Sequence, residues 1–142
     1  MLQETTTGQE VKIDKSKYVK GIVINVYEQS VSEHLFKRKK DYSIDLKEVY
    51  QVIDCEMVER VPLNRCGFFD ESHDLLIDEE GLFKPTPGFL LGLNVYLGNA
   101  VIFGVDWDNG RWENADIQVS AIIEKITWLD TQTAHSIAQK VL

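Results

Sequence analysis

The chain has 142 residues, of which 44% are hydrophobic and 27% are charged, and its formal net charge is −8. This length suits one domain with its own core, and the apolar fraction is too high for a disordered protein. No apolar run approaches the ~20 residues of a membrane span, and the acidic excess argues against direct binding to a nucleic-acid backbone. The first residues lack the apolar stretch of a secretion signal, so we expect a cytoplasmic protein that does not enter a membrane.

The beginning of the chain predicts a flexible segment followed by two strands. Residues 1–17 are polar and rich in threonine, and we expect them to be flexible, with a single domain over residues 18–142. Residues 18–28 alternate β-branched side chains and are mostly apolar on both faces, which is typical of a central strand. Residues 32–37 predict a short second strand that ends in a basic run.

The clearest helix signal covers residues 46–55. Asp45 precedes it and Glu48 follows three residues later, which resembles a capping box. Four apolar side chains recur at the spacing of one helix face: Leu46, Val49, Tyr50 and Ile53. The pattern predicts a short amphipathic helix between strands.

Residues 56–63 predict a strand that lies at a sheet edge or ends at Pro62, because Pro62 cannot donate a hydrogen bond to a sheet. Residues 64–74 are expected to form a loop, and residues 75–77 a short strand. The acidic turn that follows predicts a hairpin, with Gly81 at a position of positive φ.

The strongest strand signal lies in residues 98–108, and Asn109-Gly110 after it favours a two-residue turn. Such a hairpin would carry an ion pair and an aromatic pair between its strands. The predicted register sets Asp108 opposite Arg111 and Trp107 opposite Trp112.

The remaining segments complete the fold prediction. Residues 84–94 contain two of the three prolines and are expected to be irregular. Residues 119–126 have helical spacing but many β-branched side chains, so a helix and a strand both remain open. Residues 134–141 predict a C-terminal helix capped by Asp130 or Thr131. We therefore expect an α+β domain, with a mostly antiparallel β-sheet, one short central helix and C-terminal helices.

The negative charge is concentrated in the second half of the chain. Residues 1–65 hold 11 basic and 11 acidic side chains, whereas residues 66–142 hold 4 basic and 12 acidic ones. This asymmetry predicts an acidic surface that binds a protein partner with a basic surface. The candidate partner-binding residues are Asp70, Glu71, Asp74, Asp78, Glu79 and Glu80.

Motifs of catalysis and metal binding are not apparent in the sequence. Ser72, His73 and Asp74 contain the residue types of a catalytic triad, but adjacent residues cannot line up in hydrogen-bond order. We therefore predict no enzymatic activity, no cofactor and no metal. Aromatic and charged side chains around the predicted hairpin could instead stack on and pair with a nucleotide-type ligand. The candidate ligand-binding residues are Trp107, Asp108, Arg111 and Trp112.

Three stretches resemble an uncharacterised family of small proteins of phages, plasmids and conjugative elements, known as a domain of unknown function. They are LKEVYQVIDCEMVERVPL, HDLLIDEEGLFKPTP and LGNAVIFGVDWDNG. The sequence departs from that family at Pro87-Gly88-Phe89, where an Asn often follows the prolines. The resemblance implies an accessory protein of a mobile element, without an activity to transfer.

Three functions follow as expectations. The first is a non-catalytic accessory protein that binds a basic partner through the acidic surface. The second is a module that binds or sequesters a small molecule of nucleotide type. The third is a hydrolase built on a pair of carboxylates, which would need a cleft where two of them converge.

Overall fold

The computed structural model of the chain describes residues 14–66 and 72–140. The elements over residues 14–66 are strands β1 (Tyr18–Asn25) and β2 (Ser30–Lys37), helix α1 (Leu46–Ile53), strand β3 (Val58–Pro62) and a 3₁₀ helix (Leu63–Cys66). The next part contains β4 (His73–Asp78), a 3₁₀ helix (Gly81–Phe83), β5 (Gly88–Leu91), β6 (Asn94–Leu97), β7 (Ala100–Asp106) and β8 (Arg111–Glu113). The last described elements are α2 (Val119–Lys125), β9 (Ile126–Leu129) and α3 (Thr131–Lys140).

The larger sheet has the strand order β2-β1-β7-β4-β3, and β8 also pairs with β7. Each of its described pairings is antiparallel. Strand β7 lies at the centre of this order, and its side chains are buried on both faces along most of its length. Strand β8 joins β7 beyond the point where β1 ends its pairing, at Gly104↔Glu113.

The smaller sheet has the order β9-β5-β6 and packs across one face of the larger sheet. Phe89 and Tyr96 of the smaller sheet share a core with Ile22 and Ile102 of the larger one. Helix α1 covers the opposite face, where Val49 packs in a second core with side chains of β1 and β7. Helix α3 packs on the outer face of the smaller sheet. The layers are therefore helix, sheet, sheet and helix, in one domain.

This architecture confirms the predicted α+β class, the central strand at the start of the domain, and the edge position of the strand that ends in Pro62. It also resolves the segment left open, since α2 is followed directly by β9. Within the described residues, none of the helices is both long enough and apolar enough to cross a bilayer.

Helix α1 forms as predicted, but only half of its capping box is present. The Asp45 side chain accepts a hydrogen bond from the backbone N–H of Lys47 at 3.1 Å. The side chain of Glu48 accepts instead from the backbone N–H of Lys37, at 3.0 Å. Glu48 thus ties the helix to the end of β2, a contact between segments that a local pattern cannot reveal.

The hairpin predicted around Gly81 is wrong. Gly81 begins a 3₁₀ helix, and its φ is not among the positive values. A Cβ there would lie only 3.1 Å from the Cβ of Leu97, so the glycine allows close packing against β6. The irregular segment expected over residues 84–94 is also wrong in part, because β5 lies within it and pairs with β6 and β9.

Candidate ligand-binding site

The loop between β7 and β8 differs from the two-residue turn that Asn109-Gly110 predicts. The observed register pairs Asp106, not Asp108, with Arg111, and pairs Val105 with Trp112. Four residues, Trp107 to Gly110, therefore form the loop. The predicted pairs of Asp108 with Arg111 and of Trp107 with Trp112 are wrong.

Asp106 is the physical reason for the longer loop. Its Oδ1 accepts hydrogen bonds from the backbone N–H groups of Asp108 and Asn109 at 3.1 and 3.2 Å, and its Oδ2 accepts from the Asn109 side chain at 2.7 Å. The bond from the Asn109 side chain contributes most to lowering the pKa of Asp106, and the two backbone bonds act in the same direction. Gly110 closes the loop with φ at +63°, which glycine adopts without strain.

One consequence of this loop is an exposed tryptophan. Trp107 follows Asp106 out of the sheet, and 63% of its surface is exposed. Trp112 is carried back on β8 and is half-buried. Its ring stacks on Phe103 of β7, with 5.7 Å between ring centroids and 18° between planes. The hairpin therefore presents one exposed indole and one indole packed against the core.

A buried carboxylate lies beside Trp112. Asp74 on β4 is only 2% exposed, and its Oδ2 accepts a hydrogen bond from Trp112 Nε1–H at 3.1 Å. Arg60 Nη1 donates to the same oxygen at 3.3 Å. The antiparallel register of β3 with β4 sets Pro62 opposite Asp74, which leaves Arg60 diagonally across from it. Two donors thus stabilise the charge that burial would otherwise disfavour.

These side chains line a cavity of about 360 Å³, which we call the aromatic pocket. Its volume lies within the ~300–1,000 Å³ of small-molecule sites. The walls combine apolar and aromatic surface with a few charged groups, as such sites generally do. The residues that define the aromatic pocket are Ile44, Leu46, Arg60, Asp74, Trp107 and Trp112, together with Arg111 at its rim.

The structure brings three of the four ligand-binding candidates together. Trp107, Arg111 and Trp112 line the aromatic pocket, whereas Asp108 is exposed on the loop and is not among the lining residues. Arg60 and Ile44 were not predicted. They come from β3 and from the segment before α1, so only the pairing of distant strands places them at the site.

The four acidic candidates that the structure describes do not all lie on the surface. Asp74 and Asp78 are buried, and Asp78 forms an ion pair with Lys84 at 2.7 Å. Glu79 and Glu80 are exposed. Two further candidates, Asp70 and Glu71, lie outside the described residues.

The Ser72-His73-Asp74 segment is not the loop that the sequence suggests, since β4 begins at His73. His73 is buried, and its Nε2 accepts a hydrogen bond from the backbone N–H of Asp116 at 2.8 Å. That bond requires Nε2 to be unprotonated and so places the proton of neutral His73 on Nδ1, 3.4 Å from the Ser72 hydroxyl. The ring therefore links β4 to the segment after β8.

Among the described residues, no cluster of His, Cys, Asp and Glu has the arrangement of a metal site. Comparisons with protein-family models, curated proteins and solved structures found no match to this chain. The resemblance to the mobile-element family therefore stays a prediction, and the geometry alone carries the functional interpretation.

Proposed function

We propose that this protein binds a small molecule of nucleotide type in the aromatic pocket, without catalysing its conversion. The observation that carries the proposal is the pairing of an exposed indole, Trp107, with a fixed indole, Trp112, around a buried carboxylate. A planar ring could stack on the indoles while an N–H group of the ring donates to Asp74. Stacking and one or two directed polar contacts are the usual means of holding a base.

The alternative of a protein partner that binds an acidic surface has less support from the geometry. Asp74 and Asp78 already form ion pairs with Arg60 and Lys84 inside the protein. Their charges would meet a partner only after those pairs were broken, which is costly for buried groups. The expected role as a cytoplasmic accessory protein of a mobile element is compatible with a nucleotide-binding module.

The proposal is tested by titrating the full chain with the four common nucleosides and their 5′-monophosphates. Trp128→Phe provides the background, so that emission reports only Trp107 and Trp112. We expect at least one compound to change the emission and to raise the melting temperature, since a ligand at 100 times its Kd adds about 2.7 kcal/mol.

Trp107→Ala should then weaken binding by roughly 5- to 150-fold, the equivalent of the ~1–3 kcal/mol that stacking on one base contributes. The matched control is Phe83→Ala, because Phe83 is also an exposed aromatic residue, at 85%, and does not line the aromatic pocket. A set of eight compounds that gives neither signal would reject a nucleotide-type ligand. Equal losses in both variants would reject the location.

A further inference from the structure

A second cavity shares a lining residue, Arg111, with the aromatic pocket. It measures about 580 Å³ and has mostly polar walls, and we call it the polar cavity. Four cationic side chains line it: Lys15, Lys20, Arg38 and Arg111. Arg111 lines both cavities, so the two cavities adjoin at this side chain.

Lys20 pairs with Glu33 at 3.3 Å and Arg111 with Asp106 at 3.9 Å, whereas the partners of Arg38 are backbone groups. Its guanidinium is half-buried and donates to three backbone carbonyls: Nε to Lys15 at 2.8 Å, and Nη1 to Tyr42 at 2.6 Å and to Trp112 at 3.3 Å. Carbonyl oxygens satisfy its donors but do not cancel its charge. Within the described parts of the chain, none of the ion pairs includes Arg38.

Three acidic side chains also line the polar cavity: Asp106, Glu113 and Asp116. Asp106 accepts from the N–H groups of the β7–β8 loop and lies 3.9 Å from Arg111 Nε. Glu113 is exposed, and its effect on Arg38 is smaller than the repulsion from Arg111. Burial lowers the pKa of Arg38, and the charge of Arg111 lowers it further. An anion between the two guanidinium groups would relieve both effects.

Tyr42 holds the two guanidinium groups in place. Its carbonyl accepts from Arg38, and its ring lies under Arg111, with Arg111 Cζ 5.2 Å from the ring centroid. The Tyr42 backbone has φ at +67°, a conformation that an aromatic residue seldom adopts and that is often found at functional sites. Tyr42 thus contacts both guanidinium groups from a strained backbone conformation.

We propose that the polar cavity is an anion site that binds the phosphate group of a phosphate monoester between Arg38 and Arg111, with Lys20 beside it. The proposal rests on the proposed function to the extent that the ring of the same ligand occupies the aromatic pocket. The ligand class is then a ring-bearing phosphate monoester such as a nucleoside monophosphate. Guanidinium groups suit this role because their planar N–H groups match phosphate oxygens.

The experiment measures the affinity ratio between each nucleoside monophosphate and its parent nucleoside by calorimetry at fixed ionic strength. We expect the monophosphate to bind at least 10-fold more tightly. Lys20→Met and Arg111→Met should reduce this ratio to below 3-fold. Lys20 lines only the polar cavity, so its substitution should leave nucleoside affinity unchanged. Arg111→Lys keeps the charge and should restore part of the ratio.

The control variant is Lys140→Gln, which removes a cation at the end of α3, on the far side of the smaller sheet. It should leave the ratio unchanged. Arg38 itself is a poor test position, because three backbone carbonyls depend on it for hydrogen bonds. A ratio near one, with both compounds bound, would overturn the anion site and leave the proposed function standing.

Inorganic phosphate distinguishes the two proposals when no nucleoside or nucleoside monophosphate binds. If neither nucleoside nor monophosphate binds, the proposed function fails. The anion site then stands if phosphate raises the melting temperature above that in chloride of equal ionic strength, and if Lys20→Met and Arg111→Met abolish this shift. Absence of a phosphate-specific shift, together with absence of monophosphate binding, would overturn the anion site as well.

Discussion

The hydrogen bond from Trp112 to Asp74 provides a direct test of how the aromatic pocket is held together. Trp112→Phe removes the indole N–H but keeps an aromatic ring to stack on Phe103. Of the two side-chain donors described for the Asp74 carboxylate, only Arg60 would then remain. Because Arg60 is about half exposed, it cannot replace the lost bond without approaching further into the pocket.

The expected loss follows from the burial of the carboxylate. Asp74 is 2% exposed, so water cannot readily take the place of the indole, and a hydrogen bond to a charged group contributes about 1.5–3 kcal/mol. We therefore expect Trp112→Phe to lower the free energy of unfolding by about 2 kcal/mol, or roughly 6 °C in melting temperature for a domain of this size. That is a large share of the ~5–15 kcal/mol typical of native domains.

The assay is urea unfolding of four variants at pH 7. Trp128→Phe removes the same atoms from another half-buried tryptophan and measures the packing part of the loss. Asp74→Asn, alone and combined with Trp112→Phe, measures the coupling between the two side chains. We expect Trp112→Phe to cost less than about 1 kcal/mol once the carboxylate has become a neutral amide.

Two results would contradict this reasoning. A loss in Trp112→Phe no greater than in Trp128→Phe would mean that the indole bond contributes nothing beyond packing. An equal loss with and without the Asp74 carboxylate would mean that the two side chains are not coupled.

Three further predictions concern other parts of the fold. Lys84→Met should lower the free energy of unfolding by about 1–2 kcal/mol, a figure discounted because Lys84 is 34% exposed. The bond to Asp78 raises the Lys84 pKa, so this contribution is present at neutral pH and disappears as the pH rises beyond 10.5. A variant whose stability declines at alkaline pH in the same way as that of the unsubstituted chain would refute it. Burial, and next the charge of Asp78, raise the pKa of Cys55 to about 11. In a Cys66→Ser background, the Cys55 thiol of the folded protein should therefore react with a disulfide reagent at pH 8 at least 10-fold more slowly than the same thiol in urea. Comparable rates would show an accessible thiolate. Asp130→Ala should destabilise helix α3 at pH 7, because the backbone N–H of Thr133 lowers the Asp130 pKa. The deficit in free energy of unfolding should shrink as the pH falls below 3.8, whereas a deficit independent of pH would exclude the charge as its cause.

Several elements of the fold could be predicted because their signals are local. The alternation in β1 and the helical spacing of α1 reflect which side chains face the core within one element. Pro62 identifies an edge strand because a missing N–H has the same consequence in any sheet. The cap of α3 by Asp130, one of the two predicted candidates, is also a contact over three residues.

The errors occurred where one side chain or a distant segment outweighed the local preference of a dipeptide or a single residue. Asn109-Gly110 favours a two-residue turn, but the side chain of Asp106 binds the loop N–H groups and sets another register. The sequence around Gly81 is typical of a turn, but in the structure the missing side chain lets Leu97 pack against this residue. Residues 88–91 lack a strong strand signal and become a strand through pairing on both sides.

The sequence by itself determined the α+β class, the central apolar strand, the short helix and the presence of tryptophan and arginine near one turn. Only the tertiary structure determined which charged side chains are buried and which partners they have. An acidic run appears in the sequence as one patch, but alternate strand positions and distant partners bury Asp74 beside Arg60 and Asp78 beside Lys84. The physical reason is that the cost of burying a charge depends on its partners. Strand pairing brings Arg60, 14 residues away along the chain, diagonally across from Asp74, and the 3₁₀ helix after β4 brings Lys84, six residues away, to Asp78.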